Sequence, residues 1–249
     1  MLTRGSERWC ALTISPGASI RGDDLRSSES RPSRLKPAPI HNSASTAAAW
    51  PFAFDSSQAL RVRGNTLELT LSITNQSAEP APAGLGWHPF FVKRTRSRIA
   101  FEATGRWEMG PDKLPTERRA SNGIDADCAT LDVDHCFDGW KGIVHLRDEL
   151  LHTRVTSTLS RLVVFTNAGR DTIAIEPVSH VNNAINRVAA GGDAAELGLA
   201  VLQPGSSGTA QLSTTPLAGS RRRTCRARMS TQYSRCSLGC QNGDSPSSL

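Results

Sequence analysis

Three short stretches put titratable side chains where a plain strand has no use for them. In GLGWHPFF (84–91), His88 stands between Trp87 and Pro89, with Gly84 and Gly86 before it and Phe90 and Phe91 after it. Pro89 biases His88 toward extended backbone, the two glycines allow a ligand to approach the chain closely, and Trp87, Phe90 and Phe91 offer flat apolar faces. In LDVDHCFDGW (131–140), Asp132, Asp134, His135 and Asp138 surround Cys136 and Phe137. Alternation along a strand sets Asp132 and Asp134 on one face and Val133 and His135 on the other. In TIAIEPVSHVNNAIN (172–186), Glu176 closes an apolar run, Pro177 holds it extended, and His180, Asn182, Asn183 and Asn186 follow in a polar loop. A carboxylate ending a buried run is costly unless it is paired or working.

Histidine is the side chain whose unperturbed pKa, near 6.5, leaves both protonation states accessible at neutral pH, and a carboxylate is its natural base partner. Each stretch also has a plain reading. His88 could be a hydrogen-bonded histidine at a strand end, the aspartates an acidic turn before a strand, and Glu176 a turn cap. A metal site at the aspartates lacks a second ligand cluster, and Cys236 and Cys240 lack a second pair at zinc spacing.

Strands must position these residues. In TLELTLSITN, Leu67, Leu69, Leu71 and Ile73 alternate with polar residues, the period of a half-buried strand. The preceding ALRVR and the Gly64-Asn65 pair between the two runs predict a tight hairpin. Short apolar runs recur at RIAFEA, GIVHL, TRVTST, RLVVFTN, TIAIEP, LGLAVL and GTAQLS, separated by turn signals such as GPDKLP, NAGRD and QPGSSG. No stretch reads as an amphipathic helix of ten residues or more. This pattern predicts an all-β fold, a large antiparallel β-sandwich.

That pattern occupies residues 50–213, flanked by two segments of different character. Residues 1–49 carry seven Lys/Arg against four Asp/Glu, residues 214–249 carry six against one, and the middle carries sixteen against eighteen. The overall +6 charge therefore belongs to the ends, and the middle offers no cationic platform for nucleic acid. Both ends are polar and lack sustained periodicity, so they are expected to be weakly structured, the second as a basic, disordered tail. Cys10, Cys225, Cys236 and Cys240 lie in the ends and only Cys128 and Cys136 in the middle, where a pairing is possible but no disulfide framework is evident. With no apolar run long enough to span a bilayer and no early hydrophobic leader, the expected location is the reducing cytoplasm, without membrane partners.

WPFAFD, the alternating strand, AGLGWHPFF, DVDHCFDGW, VVFTN, IEPVSHVNNAIN and LQPG follow one another in an order that resembles the aldose 1-epimerase, or galactose mutarotase, family. The resemblance covers residues 50–213. It implies a large antiparallel β-sandwich that interconverts the α and β anomers of a free hexose or hexose phosphate without metal or organic cofactor. By motif position, it implies that His88 is the general acid at the ring oxygen and Glu176 the general base at the anomeric hydroxyl. Asp134 would hold sugar hydroxyls, with Trp87 and Phe91 as stacking faces. Lys93, Arg94, Arg96 and Arg98 follow His88 and keep a phosphorylated sugar open, although a solvated strand edge also explains them. The family's amino-terminal strands, which bring an arginine and a further histidine to the sugar, have no counterpart in residues 1–49. The alternative is thus a catalytically impaired, carbohydrate-binding remnant of the same fold.

Overall fold

The computed structural model describes residues 38–41 and 51–217. With these exceptions, the segments expected to be weakly structured lie outside the described residues. Nearly all regular structure is antiparallel strand, labelled here in chain order. One eight-stranded sheet runs, in spatial order, β1 (Ala38–His41), β2 (Phe54–Arg63), β3 (Thr66–Asn75), β16 (Ser207–Leu217), β12 (His152–Ser157), β11 (Ile143–Arg147), β6 (Arg98–Phe101) and β9 (Ile124–Asp127). A six-stranded sheet runs β5 (Phe90–Val92), β14 (Thr172–Val178), β13 (Arg161–Thr166), β10 (Val133–Asp138), β7 (Gly105–Met109) and β8 (Pro115–Ala120). A small pair joins β4 (Ala81–Ala83) to β15 (Ala200–Leu202), and one short helix, α1 (Ala184–Ala189), follows β14.

The two large sheets close on one core. Leu69, Leu71 and Ile73 of β3 are buried on one face of the strand, as the alternation predicts, and they share that core with Leu162, Val164, Ile173 and Ile175 of the six-stranded sheet. Each fully buried Leu or Ile contributes about 1.5–3 kcal/mol relative to exposure. The β2–β3 hairpin turns on Gly64-Asn65, with Arg63 opposite Thr66 and Gly64 at φ +55°. A two-residue hairpin turn with glycine at its first central position needs that left-handed backbone.

The opposite face of the six-stranded sheet carries a second, smaller cluster. Trp107, Cys136 and Val163 point outward there and are covered by Val181, Ala184, Leu197 and Leu199 from the segment around α1. Cys128 and Cys136 are both buried free thiols, so the possible pairing does not form. At the margins, β16 continues past the expected boundary at 213 to Leu217, and β1 pairs with β2 from Ala38↔Gln58 to His41↔Asp55. An edge strand can be held by backbone hydrogen bonds alone, so β1 needs no apolar alternation to betray it.

Candidate active site

Two prolines set up the central contact. The register Gly86↔Val178 and Phe90↔Ala174 places His88 directly across from Glu176. The Trp87 N–H donates to the Pro177 carbonyl at 3.1 Å, and the Ile175 N–H donates to the Pro89 carbonyl at 3.2 Å. Pro89 and Pro177 have no N–H to return. His88 and Glu176 therefore form the non-hydrogen-bonded pair between these bonds, the position where facing side chains come closest. His88 Nε2 lies 3.1 Å from Glu176 Oε1, and the side chains are 41% and 12% exposed. One group meets solvent while its partner sits in the sheet.

Alternation then builds a surface around the pair. Ile173 and Ile175 point into the main core, so Ala174 and Glu176 point outward. Along the cross-strand register, Glu176 is followed by Val163 and Cys136, and Ala174 by Phe165 and Asp134. Asp134 thus shares the face of Glu176, two strands away and two residues along. By ordinary strand spacing and rise this separates their Cα atoms by roughly 12 Å, which leaves room between the carboxylates for a six-membered sugar ring. Phe90 closes the other side, its ring centroid 4.6 Å from that of His88.

Burial perturbs both members of the pair. Desolvation lowers the His88 pKa below its ordinary 6.5. Desolvation, with the nearby negative charge of Asp134, raises Glu176 to about 8. Both shifts disfavour the charged forms. At neutral pH the pair holds one proton between two sites 3.1 Å apart, an arrangement that can give a proton at one atom and take one at another.

The structure does not bring all the expected site residues together. Trp87 is 3% exposed and belongs to the main core, and Phe91 packs against that same core. The reason is period 2: Trp87 and Phe91 face inward while His88 and Phe90 face out, so the aromatic ring beside the imidazole is Phe90. The glycines serve the protein's own chain rather than a ligand. A Cβ on Gly84 would meet His180 Nδ1 at 2.2 Å, and one on Gly86 would meet Val178 Cγ1 at 2.9 Å.

The remaining acidic and imidazole groups have other work. Asp138 is 6% exposed and accepts from Trp107 Nε1 and Arg118 Nε, both at 2.7 Å, with Arg161 Nε 3.7 Å away. His135 donates from Nδ1 to the Trp107 carbonyl at 3.0 Å. His180 is buried beside Ser179, and burial together with Arg161 lowers it to about 4. Asp132 and Asn182 are exposed. Of the basic quartet, Arg94 is engaged by Asp148, Lys93 donates to the Asn167 carbonyl, and Arg98 pairs with Asp125 and Asp127. Of the four, Arg96 is exposed and has no such engagement among the described residues.

Sequence reasoning missed Lys113, whose Nζ reaches to 3.8 Å from Asp134 Oδ2, and Arg170, whose guanidinium lies 4.4 Å over the Phe165 ring. Both come from turns, GPDKLP and NAGRD, that are legible as turns but carry no sign of where their side chains reach.

The sequence and the fold have counterparts in known proteins. The sequence profile of the aldose 1-epimerase family matches residues 39–215. Uncharacterized protein YphB of Escherichia coli (strain K12) is 31% identical over an alignment of 176 residues that covers 63% of this chain and 58% of that protein. A crystal structure from Escherichia coli K12, provisionally described as an aldose 1-epimerase, superposes with a TM-score of 0.64 at 25% identity, covering 77% of this chain and 67% of the other. Galactose 1-epimerase from Lactobacillus acidophilus NCFM superposes with a TM-score of 0.61 at 13% identity, over 77% of this chain and 64% of the other, which shows likeness of fold alone. The chain thus spans 58% of the length of its curated relative. From the profile match across most of the sequence, and from the sandwich that carries it, the chain belongs to the aldose 1-epimerase family.

Proposed function

We propose that this domain interconverts the α and β anomers of a free hexose, with Glu176 as general base and His88 as general acid. The observation that carries this reading is the 3.1 Å cross-strand contact between an exposed imidazole and a buried carboxylate on a face they share with Asp134.

Ring opening of a hemiacetal requires removal of the proton on O1 and delivery of one to O5. Starting from ionised Glu176 and protonated His88, the carboxylate takes the O1 proton, the electron pair freed from the O1–H bond forms the second C1–O1 bond of the carbonyl, the C1–O5 bond breaks with its pair going to O5, and His88 protonates O5. The pair is then left as neutral His88 and protonated Glu176, the form that burial favours. After rotation about C1–C2, the opened hydroxyl adds to the other face of the aldehyde, His88 recovers its proton from O5 and Glu176 returns one to O1. The two protonation forms are the start and finish of each half-reaction, so no net proton is exchanged. The chemistry is proton transfer throughout and calls for no redox partner.

Asp134 serves as acceptor for sugar hydroxyls opposite the pair, and Phe90 lines the near side. A neutral hexose fits better than a phosphorylated one because Lys93, Arg94 and Arg98 are already bonded elsewhere. A second reading is sugar binding without turnover, for which the face shared by Glu176, Asp134 and Phe90 suffices without any proton transfer.

The deciding measurement is anomer exchange by magnetisation-transfer NMR on glucose, galactose and their 6-phosphates, with Glu176→Gln alongside. Exchange well above the buffer rate that disappears in the variant supports the epimerase. Wild-type exchange no faster than the variant's on every sugar sinks it and leaves the binding reading.

A further inference from the structure

The β7–β8 turn contains a residue that its own backbone does not favour. Lys113 sits at φ +60°; among the described residues the other non-glycine with positive φ is Asn183. Asparagine tolerates the left-handed region, whereas lysine does so at a cost. The turn explains the geometry but not the residue. The Lys113 N–H donates to the Gly110 carbonyl at 3.0 Å, the Gly110 N–H donates to the Leu114 carbonyl at 2.8 Å, and the Leu114 N–H donates to Asp112 Oδ1 at 3.1 Å. Such three-residue hairpin loops end in a left-handed position that glycine ordinarily fills. A local preference broken without local gain points to a use for the side chain.

That use is visible in the neighbouring strand. Cys136 lies opposite Trp107, so continuing the β7–β10 register sets Asp134 level with Met109, the residue before the turn. The left-handed bend then sends the Lys113 side chain back toward Asp134, with Nζ 3.8 Å from Oδ2. No other cation is paired with this carboxylate among the described residues, and Asp134 is the charge that acts on Glu176 across the site.

Resting on the epimerase reading above, we propose that Lys113 is a positioning residue: its ammonium, delivered by the left-handed turn, holds the Asp134 carboxylate in orientation for a sugar hydroxyl and offsets its charge toward Glu176. The other titratable or charged groups on this part of the sheet are His88 across from Glu176, Cys136 on β10, Arg161 at the start of β13, Arg170 in the turn that follows β13, and Arg118 on β8, already paired with Asp138. His180 lies on the covering segment. Lys113 is distinguished among these by its contact with Asp134.

The test reads Glu176 directly, by carbon-13 NMR titration of its side-chain carboxyl in the full chain. Two variants separate charge from fold: Lys113→Met removes the ammonium and keeps the backbone cost, while Lys113→Gly removes both. We expect the Glu176 titration to move up by about 0.3–0.5 pH unit in each, a size set by one partly screened charge at this range. Lys113→Arg should restore it, and Arg96→Gln, which removes a positive charge outside the site, should leave it in place. Lys113→Gly should melt no lower than wild type. On any sugar that is turned over, KM should rise about three- to tenfold in the Met and Gly variants with kcat changed less than twofold. An unmoved Glu176 titration in both variants overturns the proposal. Because that titration needs no turnover, a wild type that fails to exchange anomers defeats the epimerase reading without deciding the role of Lys113.

Discussion

Glu176 carries the strongest chemical consequence of any residue in the molecule. Its carboxyl is raised to about 8 by burial and by Asp134, so the folded state binds its proton more tightly than the unfolded chain does. Stability from this group is therefore full below the unfolded carboxyl range near 4.5 and is lost as pH rises through about 8. Glu176→Gln should raise stability at pH 8 by about 1–3 kcal/mol in urea unfolding while lowering kcat/KM by about 10²–10⁴-fold, the separation expected of a working group rather than a structural one. His88 shifts the other way, and the pH profile follows from the two directions. The rate should fall above about 8, where the pair loses its single proton, and fall again below the lowered His88 value, where it gains a second. A kcat/KM profile showing a single ionisation near 4.5 would contradict this assignment. His88 and Glu176 stand out in the sequence because a proline follows each and holds it extended, and alternation sets Asp134 on the face of Asp132, whereas a role for Asp134 is implied only by motif position. The aromatic partner does not stand out, since Trp87, Phe90 and Phe91 are chemically equivalent guesses until the inward and outward faces are fixed.

At the scale of elements, the strands that alternate were legible and those that do not were hidden. β3, β13 and β14 announce themselves because one or both faces are buried. β8, PTERRA, is exposed at every position after Pro115, and β9, IDAD, has no buried residue. Edge strands such as these are held by their backbone, which leaves no hydrophobic record in the side chains. The six-stranded sheet, to which β8 belongs, also holds a position with little tolerance to mutation. Asp138 is the buried acceptor for Trp107 and Arg118 and the counter-charge 3.7 Å from the largely buried Arg161 Nε, so Asp138→Leu leaves an arginine without its counter-charge. Loss of about 3–5 kcal/mol is expected by denaturant unfolding. Gly84→Ala should also destabilise, because the new methyl collides with an imidazole held by Ser179. Gly205→Ala, at φ +75° with open space around its Cβ, is the converse case, backbone strain without a collision.

For the whole molecule, the order of strands in space departs from their order in the chain. β16 lies between β3 and β12 in the eight-stranded sheet, hydrogen-bonding Ser207–Thr214 to one and Leu212–Leu217 to the other. A chain ending at residue 203 should therefore fail to fold cooperatively, whereas one ending at 217 should keep the full melting temperature, as circular dichroism melts would show. Equal melting of the two would mean that β16 is a dispensable addition. The described boundary at Leu217, rather than the expected 213, belongs to this same strand: its last residues, STTPL, are half-buried and lack the apolar alternation that marks Ala210 and Leu212.

That placement also governs how the protein is made. A ribosome completes β12 at Ser157 and begins β16 only at Ser207, so across that interval the facing edges of β3 and β12 stand open with no partner yet in existence. The sheet can close only once β16 has emerged, and in that interval the nascent chain presents the unpaired edges on which other chains can template. Ribosome-bound chains stalled before residue 207 should accordingly be bound by chaperones and cut readily by protease, and those stalled after 217 has emerged should resist both.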